Sequence, residues 1–279
     1  MTSKEPALSA SAANTFLKCP LQFRFSYLDK IPRAATPAML RGTLVHKVLE
    51  NMFDLPAEQR TANVVTQTID HAWQTVSAEA TKLEETLAEQ SADDLKAEAL
   101  KLIEAYFTLE NPSRLDPDGR ESFVETVLSS GLRLRGIIDR VEVNPDGWVR
   151  ITDYKSGKAP LPQYTHDYRL QMLMYSLLYR ENRGVVPRRT QLLFLGGACP
   201  DVMIIDPTPE DVTAFEDEIL DIWIEITKCL DNVHFAPHPS KLCEWCYFQN
   251  LCPVYDNTPP EVPAEAIENY RKVGPAHRA

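Results

Sequence analysis

"RLRGIIDRVEVNPDGWVRITDYKSGK", residues 133–158, reads as two alternating strands around Asn144-Pro145-Asp146-Gly147. That loop suits a three-residue hairpin connection, with Pro145 and Asp146 at the centre of a type I turn and Gly147 in the left-handed bulge position. The hairpin then closes with Asn144 opposite Trp148. Glu142 meets Arg150 as an opposite-charge cross-strand pair, and Asp139 falls opposite Asp153. Strict alternation puts both aspartates on a face otherwise built from Ile137, Val141, Val143, Val149 and Ile151. Lys155 shares that face and Tyr154 turns away. Two carboxylates about 4 Å apart repel by roughly 4 kcal/mol at an effective dielectric near 20, so something must neutralise them. Lys155 could do so in an internal salt bridge. A divalent cation could do so as well, since paired Asp oxygens suit Mg²⁺ or Mn²⁺, with the lysine free to orient water or meet developing charge. The hairpin alone leaves both readings open.

Outward from the hairpin, "SFVETVL" is a further strand candidate, and "YTHDYRLQMLMYSLLYREN" a strong helix. "TQLLFLG" and "DVMIIDP" follow as strands, then a helix over about 208–230. On the N-terminal side, a serine-rich start leads a helix broken by Pro20. "PAMLRGTLVHKVLENMF" carries Leu40, Leu44 and Val48 on one helical stripe. Residues 57–109 are Ala/Glu/Leu-rich and read as two or more helices, and 111–119 as a loop. The expected class is α/β with a helical N-terminal portion. The tail after Cys252, rich in Pro and Glu, is expected to be irregular, with residues 1–256 as one domain and 257–279 as the tail.

At 25% charged and 44% hydrophobic residues, the composition is that of a soluble globular chain. No apolar run reaches the length of a membrane span, and Met1–Glu5 has no signal-peptide core, so the expected location is cytoplasmic. The net charge of −11 argues against holding nucleic acid mainly by a basic surface. The charge is uneven, however. Residues 18–47 carry six Lys/Arg against one acid, and residues 54–104 eleven acids against four bases. On charge alone the basic stretch is a solvated helix face.

"GIIDRVE" followed by "ITDYKSGK" resembles the Gly-x-x-Asp and (Asp/Glu)-x-Lys motifs of the PD-(D/E)XK nuclease superfamily, and most closely its RecB-like exonucleases. "RGTLVHKVLE" is similar to that family's Arg-Gly-x-x-x-His helix and "QMLMY" to its Gln-x-x-x-Tyr helix. The motifs stand in family order over residues 9–253. The resemblance implies a restriction-endonuclease-like core, a mixed central sheet flanked by helices. It implies Asp139, Asp153 and His46 as metal ligands, with the Tyr154 main-chain carbonyl completing the shell. Lys155 would be the catalytic lysine, assisted by Gln171 and Tyr175, which are spaced to share one helix face. Glu125 would correspond to an auxiliary acid. Without the family, His46 and Tyr175 read as structural residues, Gln171 as a surface residue and Glu125 as a charge near a strand end.

"CEWCYFQNLC" sets Cys243, Cys246 and Cys252 at the spacing of a metal or cluster site, with Cys19 as the expected fourth ligand. The arrangement resembles the iron–sulfur subset of RecB-like nucleases, AddB-like and CRISPR-adaptation-like, which implies a [4Fe–4S] cluster joining the chain ends. Four thiolates suit Zn²⁺ equally well by spacing. Cys199 and Cys229 are expected to be ordinary buried residues. The resulting expectation is a metal-dependent DNA nuclease, an exonuclease on single-stranded or free ends, with the basic N-terminal stretch contacting the strand. The alternatives are a non-catalytic DNA-binding or adaptor module, and a different metal-dependent hydrolase with a zinc-stapled tail. No helicase motif is present, so unwinding would come from another chain.

Overall fold

The computed structural model describes residues 5–276. The readings placed on residues 1–4 and on the last three residues of the tail lie outside them. Seven helices come first: α1 (Ala10–Lys18), α2 (Pro20–Phe23), α3 (Pro37–Met52), α4 (Ala62–Thr66), α5 (Ile69–Glu79), α6 (Leu83–Glu89) and α7 (Ala92–Leu109). Strands β1 (Gly119–Val127), β2 (Arg133–Val143) and β3 (Val149–Lys155) follow, then α8 (His166–Arg183), β4 (Arg189–Phe194), β5 (Asp201–Ile205), α9 (Pro209–Asp231) and α10 (Ala264–Arg271). Local signals account for the boundaries. Ser9 caps α1 by accepting from Ala12 N, and the extended Cys19 before Pro20 ends it. Thr36 caps α3 ahead of Pro37, and Thr208 with Asp211 forms a capping box on α9.

The strands form one mixed sheet in chain order, β1-β2-β3-β4-β5. Only β3 and β4 run parallel, and α8 supplies the crossover that such a pair needs. The β2–β3 register is the one that the loop predicts: Val143 faces Val149, Glu142 faces Arg150, and Arg140 faces Thr152. Gly147 has φ +80, and Asn144 and Trp148 close the turn. Arg150 grips Glu142 with two hydrogen bonds, 2.7 and 2.8 Å.

The sheet separates two cores. Leu192 and Phe194 join α8, α9 and the N-terminal helices on one side, while Leu193 and Leu195 join α3, α5 and α7 on the other. This is the alternation of a strand buried on both faces. In β2 the expected alternation breaks. Ile138 and Val141 both enter the first core, and Arg140 between them reaches the second. Ile137 and Val143, expected on the buried face, are 50% and 38% exposed.

Three further expectations need correction. The tail is irregular only to Pro263, because α10 follows and buries Ile267 and Tyr270. Cys199 is exposed and Cys229 half-buried. The basic stretch is not the solvated helix face that charge alone suggests, since most of it is internally paired. Arg24 is buried against Asp29 and the Pro260 carbonyl, Arg41 pairs with Glu98, Lys47 with Glu50, and Lys18 with Asp167. No helix among the described residues is long and apolar enough to cross a membrane.

Arg140 is fully buried. Its Nη1 donates to Tyr154 Oη at 2.7 Å and to Tyr106 Oη at 3.2 Å, and its Nη2 to Glu110 at 2.7 Å and Thr152 at 3.2 Å. Truncating one partner of a buried, hydrogen-bonded ion pair strands the other charge, at a cost of about 3–5 kcal/mol. Arg140→Ala is therefore expected to lower urea stability by that order, and Glu110→Gln by less. Equal stability of Arg140→Ala and the native chain would show that the network is energetically idle.

Candidate active site

One cleft of about 800 Å³ is lined by His46, Asp139, Asp153, Lys155, Gln171 and Tyr175, with Glu121 among its other residues. These side chains arrive on five elements: His46 on α3, Glu121 on β1, Asp139 on β2, Asp153 and Lys155 on β3, and Gln171 and Tyr175 on α8. Helix α3 buries Leu44, Val45, Val48 and Leu49 in the second core, which leaves His46 facing the sheet. Gly42 lets α3 approach, for a Cβ there would stand 3.0 Å from Ser156 Oγ, just beyond β3. Gly136 does the same for α8, since a Cβ would meet Leu178 at 3.0 Å and Tyr175 at 3.2 Å. The glycines of both quoted motifs thus mark close approaches of a helix.

Asp139 and Asp153 are almost wholly buried, at 7% and 2% exposure. Asp139 Oδ2 accepts from Tyr154 N at 2.7 Å. Asp153 Oδ1 accepts from Gln171 Nε2 at 2.8 Å, and its Oδ2 lies 2.6 Å from Lys155 Nζ. Gln171 Oε1 accepts from Lys155 Nζ at 2.8 Å, and Gln171 Nε2 also reaches Tyr175 Oη at 2.8 Å. Gln171, legible from the strands and helices only as a surface residue, therefore ties together the acid, the lysine and the tyrosine.

His46 Nε2 lies 2.9 Å from the Tyr154 carbonyl oxygen, and its Nδ1 lies 3.3 Å from Asp139 Oδ2 and 3.5 Å from Glu121 Oε1. Both ring nitrogens thus face acceptors. Burial opposes charge on the ring, but Asp139, Glu121 and Asp153 outweigh it and push the imidazole up to about 9. Burial, and then Asp153, push the Asp139 carboxyl above its usual range.

Glu121 is the residue that sequence reasoning missed. Its Oε, a His46 nitrogen and an Asp139 oxygen all lie within 4.8 Å of one another, a grouping able to hold a metal ion. Its backbone is left-handed, φ +41. The β1–β2 pairing is intact on both sides of it, Arg120 to Arg140 and Ser122 to Ile138. The strand therefore kinks at Glu121 without adding a residue, directly beside Asp139. Glu125, expected as the auxiliary acid, instead pairs with Arg133 at 3.1 Å. The sequence hint was only that "GRESFVETV" holds two acids, and alternation does not distinguish Glu121 from Glu125.

The donor set suits a hard divalent cation: carboxylate oxygens, a main-chain carbonyl and one imidazole. His46 Nδ1, which faces Asp139 and Glu121, is the nitrogen that would share such an ion with them, so proton and metal would compete for it.

Cys19, Cys243, Cys246 and Cys252 line a separate pocket. His238 N donates to Cys19 Sγ at 3.5 Å, and Ser240 N to Cys243 Sγ at 3.3 Å. Burial, and after it the nearby thiols of Cys19, Cys252 and Cys243, push the Cys246 thiol up. No three of the sulfurs lie within 4.8 Å of one another.

A mixed sheet whose interior strands β2 and β3 bring two buried acids and a lysine together beneath flanking helices suits a nuclease core of the metal-dependent type. Residues 7–253 match the PD-(D/E)XK nuclease superfamily, and the chain belongs to it. It is accordingly a metal-dependent nuclease, a hydrolase acting on nucleic acid. It is 25% identical over 280 residues to the Gene 69 protein of Mycobacterium phage D29, covering 90% of this chain and 98% of that one. Its fold is similar to the crystal structure of a proposed exonuclease from Eubacterium rectale, with a TM-score of 0.54 and 15% identity over 86% of each chain.

The His46 shift gives a signed expectation. A pKa raised from 6.5 to about 9 in the folded chain stabilises the metal-free protein fully below pH 6.5, and that contribution is lost as pH rises through about 9. Metal binding must displace the same proton. Mn²⁺ affinity is therefore expected to rise with pH across this window, with proton release detectable by calorimetry in buffers of different ionisation enthalpy. Glu121→Gln should lower the His46 pKa in imidazole NMR titrations. A pH-independent Mn²⁺ affinity would exclude the imidazole as a ligand.

Proposed function

We propose that the protein is a Mg²⁺/Mn²⁺-dependent deoxyribonuclease, an exonuclease acting on single-stranded or free DNA ends in repair or recombination. The observation that carries the reading is the convergence of Asp139, Asp153, His46 and Lys155 on one open cleft. Asp139, Asp153, His46 and the Tyr154 carbonyl would hold the cation, with Glu121 beside them. A divalent ion supplies Lewis-acid polarisation of the phosphoryl group when bound. The chain does the rest. Lys155 Nζ, held by Asp153 and Gln171, is placed to donate to the attacking water or to the negative charge that builds on the phosphoryl oxygens. Gln171 keeps Asp153 Oδ1 oriented, and Tyr175 fixes Gln171. Duplex unwinding is left to a separate helicase.

We further propose that the four cysteines hold a [4Fe–4S] cluster that joins the two ends of the nuclease unit, as in the AddB-like and CRISPR-adaptation-like subset. What supports this is that all four cysteines line one pocket, with Zn²⁺ as the alternative occupant. Backbone N–H donors at Cys19 and Cys243 suit thiolates. Such a cluster requires a reducing compartment, in keeping with a cytoplasmic protein.

End-labelled single- and double-stranded DNA digested with Mg²⁺ and with Mn²⁺ tests the activity. Asp153→Ala and Lys155→Ala are each expected to reduce cleavage by about 10²–10³-fold or more, with Mn²⁺ at least as effective as Mg²⁺ in the native chain because of the imidazole. Undiminished cleavage by either variant would remove the assignment. For the cysteines, iron and zinc per chain are measured in anaerobic preparations. Cys19→Ser is expected to lose iron and Cys199→Ser to retain it; stoichiometric zinc without iron in the native protein would overturn the cluster.

A further inference from the structure

Beside the catalytic cleft lies a second cavity of about 300 Å³, whose walls include Ser26, Lys30, Arg135, Asn269 and Tyr270. Arg135 lines both cavities. Among the described residues, neither the Arg135 nor the Lys30 side chain has a hydrogen-bond or ion-pair partner. Glu5, the one acid on the rim, is ion-paired with Arg133 at 2.6 Å. Tyr270 Oη is buried with no hydrogen-bond partner. Two unpaired cations, a hydroxyl and an amide around one concavity make an anion site, and a guanidinium fork matches a phosphate in particular.

The floor between this cavity and the catalytic acids is also unusual. Arg135, Ile137 and Asp139 alternate along one face of β2. At about 3.4 Å per residue, Arg135 stands about 13 Å from Asp139 along the strand. Between them Ile137 pairs across the ladder with Phe123, and these two apolar side chains are 50% and 39% exposed, side by side in the cleft. An exposed aromatic ring and its apolar neighbour, flanked by cations, suit a ligand that alternates flat apolar rings with negative charges, which is a nucleic-acid strand.

We propose that the second cavity is a phosphate subsite for the strand engaged in the catalytic cleft, with Phe123 and Ile137 supporting the bases between that phosphate and the scissile one. The proposal rests on the nuclease reading. The phosphate is either the terminal group of the strand or an internal phosphodiester, and the two sources have different signatures.

The test is fluorescence anisotropy of dye-labelled oligothymidylates with the full chain in chelator, so that no cleavage occurs, over a series of salt concentrations. Arg135→Ala and Lys30→Ala are each expected to weaken binding about 5–10-fold and to reduce the slope of log affinity against log salt by about 0.7, the value for one single-strand phosphate contact. Phe123→Ala should weaken binding without changing the slope. Lys101→Ala removes an exposed lysine of α7 and should change neither. Thermal melting guards against misfolding, and Lys30, being exposed, gives a variant safe for the fold. Preference for a 5′-phosphorylated over a 5′-hydroxyl oligonucleotide that disappears in Arg135→Ala identifies the terminal phosphate; equal losses on both identify an internal one. Native affinity and slope in both Arg135→Ala and Lys30→Ala, with a native chain that binds and cleaves DNA, overturn the subsite alone. A native chain that neither binds nor cleaves overturns the nuclease reading and the subsite with it.

Discussion

Tyr154 N donates to Asp139 Oδ2 at 2.7 Å, and the site is arranged around that bond. It fixes the first acid of β2 against the backbone of β3 at the end of their ladder. The same residue's carbonyl meets His46 at 2.9 Å, and its hydroxyl takes the buried Arg140 guanidinium at 2.7 Å. One residue of β3 thus sets the position of β2, α3 and, through Arg140 and Glu110, the end of α7. The arrangement makes the catalytic geometry a consequence of core packing rather than of loop conformation. It also explains why so much charge can be buried at once. Every buried charge in this network has a partner on a neighbouring element, as low-dielectric surroundings require.

The kink at Glu121 is the opposite kind of feature. A left-handed glutamate costs on the order of 1–3 kcal/mol, and such strain persists only where the surroundings over-determine it. Here the ladder on either side of the kink is regular, so the strain is confined to the single position that delivers a carboxylate to His46. Together with Asp139 and Asp153 it makes the metal-free site a cluster of acids held by one imidazole and one lysine. Such a cluster is poised to exchange protons for a cation.

Much of the fold was legible because the decisive signals were local. Asn-Pro-Asp-Gly sets its own turn geometry, the turn sets the β2–β3 register, and the register places Asp139 and Asp153 near each other. The helices of both motifs were readable from their apolar stripes. What was not legible depended on tertiary context. Alternation assigned Val141 and Ile137 to one face, but the strand changes face between Ile138 and Val141 beside the kink. Helix α10 is short and lies in a Pro/Glu-rich tail, so it gains its stability from burying Ile267 and Tyr270 rather than from its own propensity. The internal pairing of much of the basic stretch was not legible because its partners, Glu98, Asp167 and the Pro260 carbonyl, are distant in sequence. Gln171 and Glu121 acquire their meaning only from what the fold places beside them.

The sheet is laid down in chain order, each strand hydrogen-bonded to the one before it. The β1–β2, β2–β3 and β4–β5 contacts are therefore local in sequence and favour rapid assembly, whereas the parallel β3–β4 pair must wait for the α8 crossover. His46 stands apart from that pattern, because its partner Tyr154 lies more than a hundred residues downstream. During synthesis the histidine helix leaves the ribosome long before the acids and lysine that complete its site, and Gln171 emerges later still. A partly made chain can thus present the imidazole or the first acid without the constellation. Cleaving capacity arises only once the crossover helix has folded back onto the sheet, which separates the making of this protein from the onset of its chemistry.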